Sequence, residues 1–340
     1  MSAQGRPKRE SAEARSAAGR PFARRAAPSA NLSRSAKRGG SSIELQGVPV
    51  SGMWIQFLVT GITVGAIYAL VALGFSIVFN ASGVINFAQG EFVMIGGMSA
   101  VSLLATGLPT AIALPAAVGV AALVGLVVEK LAVERARRAD VVTLIIITIG
   151  ASIFLRGAAQ LVFDKSVHRL PPLTGERPLS FLGATIVPQS LWVIGVTIAI
   201  VVALTYFFHR ARAGKAMRAA SHNRLAAELV GIDVRNVLFA SFGLAAALGA
   251  IGGVLIAPIA FTAYDAGIML GLKGFAAAML GGLGSFPGAI AGGLTLGVLE
   301  SAGAGYVSSA YKDATAFVIL LAVLLLRPHG LLGAPRSERV

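Results

Sequence analysis

Asn86, Gln89 and Glu91 fall within six positions of one another, inside the stretch GVINFAQGEFVMIGG at 83–97. Glycines surround them, at Gly83, Gly90, Gly96 and Gly97. An amide side chain both donates and accepts hydrogen bonds, whereas an ionised carboxylate only accepts. Such a set can bind a zwitterionic solute, line an ion path or hold helices together. The surroundings narrow the chemistry, because apolar sequence on both sides is long enough to cross a bilayer. Polar and ionisable groups at that depth are costly and normally face a cavity, a pathway or a partner helix. Broken helix is tolerated there only where protein or water satisfies the freed backbone. Glu300 is a second carboxylate in apolar sequence. Arg156, Lys273 and Lys312 are the cations within reach of such spans. Two readings of Glu91 and Glu300 therefore stand, a structural pairing and a solute or ion pathway.

Other chemistries find little support. The chain has no cysteine, so it has no disulfide, thiolate metal site or cysteine nucleophile. Its four histidines, His168, His209, His222 and His329, have no metal-ligand spacing with one another, and we expect no metal site. No Ser/His/Asp or HExxH pattern is present. A GxxxxGK[ST] phosphate loop is missing as well: Gly214-Lys215 is followed by Ala216. If ATP drives this protein, another chain must bind it.

The elements that position the polar groups are membrane helices. Of the 340 residues, 56% are hydrophobic and 13% charged, and the mean hydropathy is +0.78. Soluble domains carry about 25% charged residues. The net charge of +14 is uneven, since residues 1–42 hold ten Lys or Arg against Glu10 and Glu13. That tail has too little apolar content to bury a core and should be disordered. Alternatively, translation starts near Met53, or the tail is a targeting peptide. Its charge is not read as nucleic-acid binding by the folded part.

A span needs about 20 apolar residues. Uncharged stretches at 54–78, 92–128, 189–208 and 237–258 meet this, as do 141–163 with Arg156 inside and 306–326. The 92–128 stretch divides at Thr106-Gly107-Leu108-Pro109. The stretch 274–299 is dense in small residues and broken at Gly-Ser-Phe-Pro-Gly, which predicts two packed or re-entrant half-spans. The fold class is an all-α, polytopic integral membrane protein with about eight transmembrane segments. Basic loops at 129–140 and 209–236, and the tail after Arg327, belong in the cytoplasm by the positive-inside rule. The loop at 164–188 then lies outside. Counting back puts residue 53 outside too, against the pull of the basic tail. A start near Met53, or a half-crossing at 80–90, removes that conflict.

Within the 209–236 loop, Asn223 is a good helix N-cap and Gly231 a good residue just past a helix end. A short helix is predicted between them, at 224–230. Leu225 and Leu229 share a face, with Ala226 and Val230 beside it. That face packs on the protein's own membrane ends or fills a partner's groove.

Four blocks carry a resemblance. They are GAIYALVALGFSIVFNASGVINFAQGEF (65–92), ELVGIDVRNV (228–237), GLKGFAAAMLGGLGSFPGAIAGGLTLGVLES (271–301) and YKDATAF (311–317). In order and spacing they resemble the permeases of branched-chain amino acid ABC transporters, the H-type subunit more than its M-type partner. The likeness spans 53–333, and the 1–42 tail is outside it. It implies a bacterial inner-membrane importer for branched-chain or related amino acids. An M-type permease would complete the pore, two cytoplasmic ATPases would carry ATP and magnesium, and an extracytoplasmic binding protein would deliver solute. Membrane lipid would surround the assembly, and nucleic acid has no part in it. The family's coupling helix maps onto Asn223, Leu225, Ala226, Glu228, Leu229 and Gly231. Asn86, Gln89, Gly90, Glu91 and Glu300 are the candidate path residues. The rival reading is a self-sufficient secondary transporter or channel using Glu91 and Glu300 as ion-coupling groups.

Overall fold

The computed structural model describes residues 50–136, 139–175, 177–181, 184–306, 308–327 and 330–333. The basic 1–42 tail and His329 lie outside the described residues. The described elements are almost wholly helical: α1 (Val50–Ser82), α2 (Gln89–Ala105), α3 (Thr110–Val128), α4 (Val141–Phe163), α5 (Pro188–Arg210), α6 (Arg212–His222), α7 (Arg224–Leu229), α8 (Val234–Ala260), α9 (Ala266–Gly281), α10 (Phe286–Tyr306) and α11 (Lys312–Leu326). An antiparallel hairpin of two three-residue strands, β1 (Leu179–Phe181) and β2 (Ala184–Ile186), sits in the loop between α4 and α5. No sequence pattern marks that hairpin or α6.

Among the described residues, six helices are long and apolar enough to cross a membrane. The bent pair α9–α10 can be counted as a seventh span, and the apolar 17-residue α2 lies beside them. This all-α, multi-pass architecture fits the expected count of about eight. The interior is α1 and α8, which are mostly buried, whereas few residues of α4, α5 and α11 are buried. Small residues let α1 and α10 approach until backbones touch. A Cβ added at Gly61, Gly65, Gly293 or Gly297 would collide with the facing main chain.

Each break has a local cause. Between α2 and α3, Gly107 takes φ +85°, a conformation that penalises side chains, and Pro109 precedes the first residue of α3. Between α9 and α10, Gly282 and Gly284 take φ +103° and +88°, and the helices turn by 119°. The arms of this V are longer than the uncharged 274–299 stretch predicts. Lys273 and Glu300, which bound that stretch, neutralise each other inside the protein, so both helices run through them.

Hydrogen bonds assign the ends of the helices to two faces. On one, Gln56 near the start of α1 accepts from the Thr185 amide at 2.7 Å. Thr262, just past α8, exchanges backbone bonds of 2.8 Å with His168 of the α4–α5 loop. In the same loop Asp164 accepts from the Ser166 amide at 2.5 Å, which holds its carboxyl below the usual value. On the other face, Asn80 near the end of α1 donates to the Gly284 carbonyl at the vertex of the V, at 2.8 Å. The Leu331 amide donates to Leu280 there, at 2.8 Å. Arg235 at the start of α8 pairs with Glu134 past α3. The second face carries the basic loops and is cytoplasmic by the positive-inside rule. The start of α1 accordingly shares the outer face with 164–188.

Candidate functional site

The α1–α2 connection does not stay at the cytoplasmic surface. Gln89 donates from Nε2 to the Ala245 carbonyl at 2.9 Å. Ala245 is eleven residues into α8, and the rise of 1.5 Å per residue puts it ~16 Å from that helix's cytoplasmic end. Gly74, whose added Cβ would strike the Gln89 amide, lies eight residues or ~12 Å before the end of α1. Residues 83–88 therefore turn back into the protein, and α2 begins near mid-membrane. A helix start leaves amide N–H groups unpaired and carries partial positive charge.

Around that start the polar side chains are enclosed. Asn86, Gln89 and Glu91 are at most 1% exposed. Asn86 Oδ1 accepts from the Ala88 amide at 3.1 Å and shapes the turn. Glu91 Oε1 accepts from Ser152 Oγ at 2.8 Å and from Arg156 Nη2 at 2.9 Å. Thr148 Oγ1 accepts from the Phe87 amide at 3.2 Å. Gly90 lets α9 come close, because a Cβ there would collide with Gly267 and Gly271. Asn86 Nδ2, Gln89 Oε1, Glu91 Oε2 and Arg156 Nε, all buried, have no hydrogen-bond partner among the described residues. Burying such atoms unpaired costs about 1–3 kcal/mol each, more for charged groups. A cleft of about 150 Å³ opens beside Glu91, Ser152 and Arg156, with Phe75, Phe87 and Phe275 among its walls.

Glu300 stands in a separate cluster. It is fully buried and accepts from Tyr68 Oη at 2.9 Å and from Lys273 Nζ at 2.9 Å. Lys312 Nζ is 3.3 Å from the same carboxylate, and Lys273 also pairs with Asp313 at 2.5 Å. Two acids and two bases make this cluster neutral, and it ties α11 to α9 and α10. Among the described residues no hydrogen bond or ion pair joins it to Glu91. The structure thus gives each carboxylate cations from the trio Arg156, Lys273 and Lys312, and does not bring the two carboxylates together.

The third feature is α7. Asn223 Oδ1 accepts from the Ala226 amide at 3.0 Å and caps its start. At its end Gly231 takes φ +84°, its amide donates to Glu228, and the Ile232 amide reaches back to Ala227, at 3.0 Å each. That is the Schellman arrangement, with Gly in the left-handed position. The helix closes at Leu229, one residue earlier than the sequence suggests. Its inward contact is Ala227, at 3% exposure. Leu225, Leu229 and Val230 are 71%, 82% and 77% exposed, and Ala226 and Glu228 are exposed too. On the described residues, the apolar face does not pack on the protein's own membrane ends.

Sequence reasoning missed Thr148 and Ser152. They and Arg156 recur every four residues along a mostly apolar α4, which places them on one face toward the broken turn. That spacing was the available signal. Tyr68 and Asp313 were missed as partners of the Glu300 cluster, and no local pattern marks them.

Several apolar spans around enclosed ionisable clusters and a re-entrant polar turn define a multi-pass membrane transport protein. Comparison with known proteins makes the class particular: the chain belongs to the branched-chain amino acid transport system permease component family, whose profile matches residues 57–324. It is 38% identical over 304 residues to the high-affinity branched-chain amino acid transport system permease protein BraD of Pseudomonas aeruginosa, covering 84% of this chain and 98% of that protein. Identity to the LivH permease protein of the corresponding Escherichia coli system is 36%, with the same coverage. The probable branched-chain amino acid transport permease protein LivH of Methanocaldococcus jannaschii is 29% identical over 281 residues, 78% of this chain and 88% of that one. The H-type resemblance therefore holds, and the chain is a multi-pass protein of the bacterial inner membrane.

Proposed function

We propose that the chain is the path-forming permease subunit of an ATP-driven importer for branched-chain or related amino acids. It works with an M-type permease, two cytoplasmic ATPases holding ATP and magnesium, and an extracytoplasmic solute-binding protein. The observation that carries the reading is α7, a rigidly capped helix on the cytoplasmic face whose leucines are solvent-exposed. An amphipathic helix so presented fits the groove of a partner protein. Asn223 and Gly231 hold its ends, Leu225, Ala226, Glu228 and Leu229 meet the ATPase, and the solute passes Asn86, Gln89, Gly90 and Glu91. Glu300 braces that path from its own ion-paired cluster. The ion-coupled alternative gains less support, because both carboxylates already have cation partners within 2.9 Å. Reconstitution in liposomes with and without the partner chains tests the reading. Solute uptake should require all partners and ATP, and ion-driven uptake by this chain alone would overturn it.

A further inference from the structure

We propose that the Glu91–Arg156 pair is a binding site for the zwitterionic head of an amino acid in transit, with the three phenylalanines beside it receiving the apolar side chain. This deepens the path reading above and rests on it. The pair is held by one hydrogen bond, Arg156 Nη2 to Glu91 Oε1, at 2.9 Å. A carboxylate and a guanidinium can share two parallel bonds, so this pair uses part of its capacity. The spare groups are specific. Glu91 Oε2 is buried without a partner among the described residues and sits beside Gly267 on the cleft wall. Arg156 has an unpartnered Nε, and its side chain is 28% exposed.

An α-carboxylate and an α-ammonium group on one carbon match this arrangement. The carboxylate replaces Glu91 on the guanidinium, and the ammonium takes the carboxylate thereby released. Each buried charge exchanges one partner of opposite sign for another, so no isolated ion is left at membrane depth. Across the cleft, Phe275 lies 5.8 Å from both Phe75 and Phe87, ring centre to ring centre. A branched aliphatic side chain would meet aromatic surface there, while a second charge would find no partner. Helix α4 carries Arg156 and Ser152 and is held to α2 through this polar contact, so exchange of the pair also loosens α4 from the broken turn.

The test uses the complete importer, assembled with its partner chains. In the first arm, equilibrium dialysis with radiolabelled leucine is run on the permease–ATPase complex without the binding protein. The unaltered complex should bind leucine, and the deaminated acid 4-methylpentanoate should compete at least ten-fold less well. The charge-reversed pair Glu91→Arg/Arg156→Glu keeps opposite charges in contact but turns them against the backbone geometry of the site, and should lose binding at least ten-fold while the complex still assembles. In the second arm, Phe275→Ala leaves the ion pair intact and should shift binding from leucine toward phenylalanine. Wild-type leucine affinity in the reversed pair, or an unchanged leucine-to-phenylalanine ratio in Phe275→Ala, overturns the proposal. So does a complex that imports leucine with ATP yet binds none in the dialysis. Failure of ATP-dependent import by the unaltered assembly would instead overturn the function proposed above.

Discussion

Arg224 Nη2 donates to the Ala81 carbonyl at 2.6 Å, tying the first residue of α7 to the last turn of α1. That turn leads directly into the re-entrant residues 83–88. A load applied to α7 therefore reaches the start of α2 through one side chain and a short piece of main chain. Hydrogen bonds involving a charged group contribute about 1.5–3 kcal/mol. Arg224→Ala should leave ATPase docking near normal and lower the amount of solute moved per ATP hydrolysed. Parallel uptake and hydrolysis assays in liposomes measure the ratio, and an unchanged ratio would show that force travels by another route.

The exposed leucines of α7 make a second prediction. Leu225 and Leu229 touch little of their own chain, so Asp at either position should not alter the thermal stability of the isolated permease. Burying one leucine is worth about 1.5–3 kcal/mol, so each change should weaken ATPase capture roughly ten-fold or more. Ala226→Trp should act the same way by overfilling the partner's groove. Gly231→Val meets no neighbour within 4 Å; its effect comes from the positive φ, at about 1–2 kcal/mol, and should appear as a frayed α7. Pull-down of the ATPases with each variant decides the matter, and wild-type capture throughout would remove α7 from the interface.

The Glu300 cluster should behave as a brace. Removing one partner of a buried ion pair typically costs about 3–5 kcal/mol. Glu300→Leu should sharply lower the melting temperature in detergent, since it leaves Lys273 and Lys312 with Asp313 as their one remaining acid in the cluster. The paired change Lys273→Met/Glu300→Leu should recover much of that loss. Equal losses in the single and paired variants would mean that packing, not charge balance, sets the cost.

Residues 1–42 should be dispensable for insertion and uptake, because the family match begins at residue 57. A chain starting at Met53 tests this against the full one. Absence of the short form from the membrane fraction would assign targeting or topology information to the tail.

The two faces can be checked chemically, since the chain has no cysteine of its own. A single cysteine at Ser180 should react with a membrane-impermeant maleimide added outside, and one at Glu228 only after the membrane is opened. The reverse pattern would invert the topology.

What the sequence made legible followed from local rules. Asn223 and Gly231 mark the ends of α7 because capping is decided within a few residues, and the Gly-Ser-Phe-Pro-Gly break falls where it does because glycines at positive φ and a proline interrupt a helix. What it hid was set by packing between distant segments. Glu91 and Arg156 are 65 residues apart, and nothing near either names the other. The reach of α9 and α10 was underestimated because Lys273 and Glu300 look like helix limits until their mutual neutralisation is seen. The α6 helix was overlooked because its inward face is small residues, Gly214 and Ala220, with only Met217 to signal burial.

The seam where α1 meets α10 leaves no space for even one added methyl group at its glycines. A contact of that kind resists sliding, because a shift along the seam would bring side chains against these glycines. These two helices must travel as a single beam through any cycle of opening and closing. The α4 helix lies outside that beam, joined to the broken turn by Thr148, Ser152 and Arg156. The molecule is thus a keel with an outrigger, and the lashing between them runs through a buried ion pair.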